Sequence, residues 1–179
     1  MYRHLKQVIT TKLNKQDTDI IVVYGARQVG KTTLVKDIAQ NAIYINLDTA
    51  YYADALNSRD TPAIRSIFER EKKAHTRVVV LDEFQRLQDP GLIAKVIHDE
   101  IPEYRLIITG SSALELAFKA SESLAGRKTT YALYPLTLKE KLIQLGKYAD
   151  FETDKSQKFL DDILESMRYG LYPELLNRE

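Results

Sequence analysis

Short runs of aliphatic and β-branched residues alternate along this chain with segments whose apolar positions recur at helical spacing. Ile20-Ile21-Val22-Val23-Tyr24 is apolar without a break, as a strand buried on both faces must be. Residues 32–40 follow with Leu34, Val35, Ile38 and Ala39 on one helical face. Residues 42–47 read as a second strand, 77–81 as a third and 106–109 as a fourth. Residues 129–133, ended by Pro135, read as a fifth. Between these runs, Thr61-Pro62 reads as an N-cap with proline at the first helical position, leading the stripe Ile64, Ile67 and Phe68. Asp89-Pro90 repeats the signal ahead of Leu92, Ile93, Val96 and Ile97, and Ser112-x-x-Glu115 reads as a capping box. Strands alternating with helices predict an α/β fold, a mostly parallel sheet covered by helices on both faces.

From about Thr137 the pattern becomes wholly helical, over residues 139–145 and then 155–169. The second segment carries Phe159, Leu160, Ile163, Leu164 and Met167 on one stripe, which needs a partner surface. The chain therefore divides into a core over residues 1–136 and a helical extension over 137–179. The extension reads as the start of a lid, or of a linker to a C-terminal domain. Residues 175–179 stop without a turn or capping signal, as expected of a fragment of something longer.

The chemistry concentrates where strands end. Gly25-Ala26-Arg27-Gln28-Val29-Gly30-Lys31-Thr32 matches the phosphate-binding loop Gly-x-x-x-x-Gly-Lys-Thr, with Thr33 following it. Such a loop turns successive N–H groups inward around phosphate oxygens, and the helix behind it presents its positive end to the anion. Lys31 is placed to reach the β- and γ-phosphates and Thr32 to ligate Mg²⁺. Val78-Val79-Val80-Leu81-Asp82-Glu83 delivers Asp82 to a strand end as a second Mg²⁺ ligand, and Glu83 to orient or deprotonate water. Taken alone, the same two acids also read as an acidic turn after a core strand. Leu106 to Ser112 ends a strand in small hydroxyl residues, among them Ser111 as a candidate γ-phosphate sensor and Thr109 as the alternative. In Ser123-Leu124-Ala125-Gly126-Arg127, the arginine after a glycine suits a finger onto the transferred phosphate, in cis or from a neighbouring subunit. A surface arginine opening the next strand is the plainer reading of Arg127.

Composition narrows the setting. The 179 residues suit one domain, or one with the start of another. Without cysteine, disulfide scaffolds, thiolate metal sites and cysteine nucleophiles are excluded, which suits the reducing cytoplasm expected here. The longest aliphatic runs are far too short to span a bilayer, and no membrane partner is expected. A net charge of +1 with mixed signs is unlike the footprint of a dedicated nucleic-acid binder. His4, His75 and His98 have no metal-ligand spacing. Asn14-Lys15-Gln16-Asp17 fits a guanine-selecting pattern but lies before Gly25, where it has no place in a GTPase. It reads as a polar loop.

Taken in order, the phosphate loop, Leu81-Asp82-Glu83-Phe84-Gln85, Thr109-Gly110-Ser111-Ser112-Ala113 and Leu124-Ala125-Gly126-Arg127 form a set. They resemble the motifs of a prokaryotic AAA-like P-loop ATPase family, whose core is followed by a domain of unknown function. Tyr134-Pro135-Leu136-Thr137 with Glu140 is similar to that family's Pro-Leu-Ser/Thr…Glu signature. Tyr169-Gly170-Leu171-Tyr172-Pro173-Glu174 is similar to its Gly-Gly-Tyr-Pro-Glu segment, with Leu171 in place of the second glycine. The resemblance implies a three-layer fold with a five-stranded sheet in the order 5-1-4-3-2. It also implies a place for Arg127 in the site, and for Gln28 and Gln85 beside the nucleotide. The expected function is a slow ATP-binding and ATP-hydrolysing motor or switch for an attached domain. ATP and Mg²⁺ are its ligands, and other copies of the chain are candidate partners. A non-turnover switch module and a small-molecule kinase remain as alternatives.

Overall fold

A computed structural model describes residues 2–15, 19–73, 75–120, 124–153 and 160–174. Five strands form one sheet: β1 Ile20–Tyr24, β2 Ile43–Asn46, β3 Val78–Asp82, β4 Arg105–Gly110 and β5 Lys128–Ala132. Their spatial order is β2-β3-β4-β1-β5, and every neighbouring pair is parallel. From the opposite edge this is the expected 5-1-4-3-2. Helices α1 His4–Asn14, α2 Lys31–Ile38, α3 Ala50–Asn57, α4 Thr61–Glu71, α5 Pro90–Glu100 and α6 Ser112–Ala120 surround it. Helices α7 Leu138–Gln144, α8 Tyr148–Thr153 and α9 Leu160–Tyr169 follow.

The unbroken apolar runs are explained by burial on both faces. Successive residues of β1 enter opposite cores: Ile20 and Val22 join Ile45, Leu81, Ile108 and Phe68 on one face. Ile21 and Val23 join Leu34, Val35, Val80 and Ile107 on the other. Each such side chain, once fully buried, contributes roughly 1.5–3 kcal/mol, so the central strands anchor the fold. Their carboxyl ends are therefore rigid platforms for the residues that follow them.

Helix starts follow local chemistry, with two corrections. Asp60, not Thr61, is the N-cap of α4: its carboxylate accepts the Ala63 N–H at 3.3 Å, and Thr61 and Pro62 form the first turn. Asp89 caps α5 as expected, accepting from Leu92 N at 3.1 Å. The cap of α6 is likewise displaced by one: the helix begins at Ser112 itself, so Ser111 and not Ser112 stands just before it, its carbonyl accepting from Leu114 N at 2.9 Å. A full capping box opens α7, where Thr137 accepts from Glu140 N at 3.1 Å and Glu140 from Thr137 N at 2.9 Å. The carboxyl end of α1 is closed from a distance. The Arg105 guanidinium, on β4, donates to the carbonyls of Leu13, Lys15 (3.1 Å) and Lys12 (3.3 Å).

Beyond residue 136 the helices hold one another. Lys141 of α7 donates to Glu165 at 2.9 Å and Ser166 at 3.0 Å, both on α9. Leu160, Leu164 and Met167 of the expected apolar stripe are 42%, 51% and 79% exposed. Phe159, residues 175–179, Ser123, and Gln16 with Asp17 of the Asn-Lys-x-Asp match lie outside the described residues. Among the described residues no helix is long and apolar enough to cross a membrane.

Candidate active site

The phosphate loop leaves β1 at Tyr24 and ends in the first turn of α2. Gly25 is required by a close approach: a Cβ there would stand 2.2 Å from the Leu133 carbonyl oxygen. Gly30 takes φ 93°, which favours glycine, and Gln28 also adopts a left-handed conformation at φ 65°. Lys31 is 6% exposed, and its ammonium donates to the carbonyls of Gly25 at 3.0 Å and Ala26 at 2.8 Å. Burial lowers the proton affinity of that ammonium; Glu83 and Asp82 oppose the effect, and Arg27 adds to it. Beneath the loop, Val29 is fully buried and its carbonyl accepts from the Arg3 guanidinium. Arg3 is itself 2% exposed and also reaches the Tyr134 carbonyl (3.1 Å) and Glu140 (3.4 Å).

Asp82 ends β3 and is 2% exposed. Its Oδ2 accepts from the Thr32 hydroxyl at 2.8 Å and from the Tyr44 hydroxyl. Its Oδ1 accepts from the Thr109 hydroxyl and from Glu83 N at 3.1 Å. Burial, then the hydrogen bond to Asp82, pushes the Tyr44 hydroxyl well above the usual phenol range, so it stays a donor. A hydroxyl and a carboxylate oxygen side by side at the loop suit a hard, oxygen-seeking cation such as Mg²⁺. Among the described residues no group of three or more histidine or acidic side chains forms a metal cage.

Glu83 follows with φ 60°, a left-handed conformation unusual for a non-glycine residue. Its carboxylate accepts from the Gln85 carboxamide, and Gln85 in turn accepts from Ser111 N at 3.2 Å. Thr109, fully buried, is turned toward Asp82. Thus Lys31, Thr32, Asp82, Glu83 and the main chain of Ser111 converge at the carboxyl ends of β1, β3 and β4.

Arg127 does not join them. It precedes β5, its carbonyl accepts from Ile20 N at 2.9 Å, and Ile20 pairs with Lys128 at the amino end of the strands. The phosphate loop leaves the other end of β1, about 17 Å away for five residues of strand. Arg127 lies 3.6 Å from Asp99 of α5 and is 43% exposed.

A cleft of about 530 Å³ opens over the loop, bounded by Arg27, Thr33, Glu83, Asp48, Arg86 and the Pro173-Glu174 segment. Asp48 and Arg86 pair across it at 2.7 Å. No motif in the sequence points to Arg3, Tyr44, Asp48 or Arg86. Tyr44 alternates with the buried Ile43 and Ile45, and that alternation at a strand beside β3 was its one visible signal. Pro173-Glu174 was visible only as part of a family-like segment.

A family model described as an AAA domain matches residues 17–142. An uncharacterized protein of Methanocaldococcus jannaschii is 28% identical over 176 residues, covering 93% of this chain and 36% of its own length. The chain thus spans about a third of that relative. Among solved structures, a signal transduction ATPase with a tetratricopeptide repeat sensor from Pyrococcus horikoshii aligns with TM-score 0.59 at 19% identity. That alignment covers 99% of this chain and 29% of the other. The Aeropyrum pernix ORC1 protein, solved in complex with DNA, aligns with TM-score 0.54 at 14% identity, covering 83% and 48% respectively.

Proposed function

The chain belongs to the AAA domain family, and from that premise we propose an ATP-hydrolysing domain that works as a motor or switch for an attached domain. The observation that carries this reading is the meeting of Thr32 and Asp82 at 2.8 Å beneath a loop that buries Lys31. Thr32 and Asp82 would hold Mg²⁺, which when bound neutralises charge on the phosphate oxygens. Lys31 exchanges the Gly25 and Ala26 carbonyls for phosphoryl oxygens, and the N–H groups at the start of α2 face the same anion. Glu83 orients the attacking water and accepts its proton. Ser111, at the exit of β4, registers the presence or loss of the γ-phosphate. Arg127, remote from the loop of its own chain, serves the site of a second copy.

Two substitutions test the reading. Glu83→Gln is expected to keep ATP affinity while phosphate release falls by about 100-fold, within the range seen for general bases. Unchanged turnover would remove Glu83 as the base. Lys31→Ala is expected to abolish ATP binding measured by calorimetry, and retained binding would overturn the assignment of the loop.

A further inference from the structure

Gln85 joins two parts of the site that the chemistry above uses separately. It lies in the 3-10 turn Phe84–Arg86 that follows Glu83, with its side chain half-buried. Its Nε2 donates to Glu83 Oε2, and its Oε1 accepts the Ser111 N–H at 3.2 Å. The second bond dictates the first. A main-chain N–H only donates, so the carboxamide oxygen faces Ser111 and the NH₂ group is left to face Glu83. The strand opposite makes room for this arrangement: a Cβ on Gly110 would stand 2.5 Å from Gln85 Oε1 and 2.6 Å from Leu114 Cδ2. Glu83, held at φ 60°, starts from a backbone geometry with little freedom to wander.

We infer that Gln85 is a positioning residue whose carboxamide splints the Glu83 carboxylate to the main chain where β4 runs into α6. It sets the direction from which Glu83 meets the attacking water. The inference rests on Glu83 being the base in the ATPase reading. A reacting group displaced by about 1 Å loses about 100-fold in rate, so the effect of removing the splint falls on kcat. It leaves substrate affinity, which Lys31 and Thr32 carry, untouched.

The isosteric Gln85→Glu separates positioning from mere stapling of the turn. A carboxylate at 85 still accepts from Ser111 N but has no donor for Glu83. Positioning therefore predicts that Gln85→Glu and Gln85→Ala both lower kcat by about 10- to 100-fold. KM and calorimetric ATP affinity stay within about twofold, which also reports a folded site. In the Glu83→Gln background, residual hydrolysis is followed with enzyme in excess over ATP. There Gln85→Ala adds less than about a twofold further loss, because the group it acts through is gone. Wild-type kcat in Gln85→Glu, a rise in KM in place of a fall in kcat, or an equal fold loss in both backgrounds each overturns the inference. If Glu83→Gln alone leaves turnover intact, the base reading falls and the inference with it. If Glu83→Gln abolishes turnover and Gln85→Glu does not, the inference falls alone.

Discussion

Asp82 accepts hydrogen bonds from the hydroxyls of Thr32, Tyr44 and Thr109 and from the main chain of Glu83. A carboxylate so surrounded holds one orientation before any cation arrives, and Tyr44 and Thr109 do that work from neighbouring strands. Partners of this kind commonly change metal affinity by about 10- to 100-fold when removed. Tyr44→Phe deletes one donor and keeps the ring that packs at the sheet. It is expected to raise by about 10-fold the Mg²⁺ concentration needed for half-maximal ATP binding, read by calorimetry across a Mg²⁺ titration. An unchanged Mg²⁺ requirement would show that Tyr44 only fills space. The pair Asp82-Glu83 was legible in the sequence because strand and acids are contiguous. Tyr44 reaches Asp82 across 38 positions, and no local pattern carries such a contact.

At the scale of elements, sheet strands were the most readable part, because burial on both faces writes itself as unbroken apolar runs. Helices α1 and α3 were not anticipated. Leu5, Ile9 and Leu13 of α1 do recur at helical spacing and pack on one core, whereas α3 fully buries Leu56 alone, with Tyr52 and Ala53 partly buried beside it. The cap of α4 was misplaced by one residue, since Asp60 and Thr61 both carry capping oxygens and only geometry decides between them. Helix α1 instead relies on Arg105, whose guanidinium meets three carbonyls at its carboxyl end. Arg105→Ala leaves those carbonyls without their charged partner and is expected to lower stability by about 1–3 kcal/mol, the cost typical of hydrogen bonds to charged groups. Urea unfolding followed by circular dichroism measures this, and a midpoint unchanged from wild type would contradict it.

For the whole molecule, the parallel sheet separates two ends with different duties. Lys31, Asp82, Glu83 and Ser111 gather at the carboxyl ends of the strands, whereas Arg127 sits at the amino ends beside Asp99. Reading motifs in order brought Arg127 to the site; strand direction takes it about 17 Å away within one chain. If Arg127 serves a second copy, specific activity should rise with protein concentration and Arg127→Ala should flatten that rise, with ATP affinity of the single chain unchanged. Phosphate release measured over a dilution series decides the matter, and concentration-independent wild-type activity excludes the role. The boundary placed near residue 136 is crossed by Arg3, which touches the loop on one side and Glu140 of α7 on the other.

That Arg3 crossing ties α1 and its approach to the loop. The third residue of the chain is a buried buttress of the phosphate loop, held at the Val29 carbonyl, with His4 N donating to Glu140 at 2.9 Å beside it. Removing the segment that carries Arg3, a change normally regarded as cosmetic, would therefore be a loop mutation in disguise.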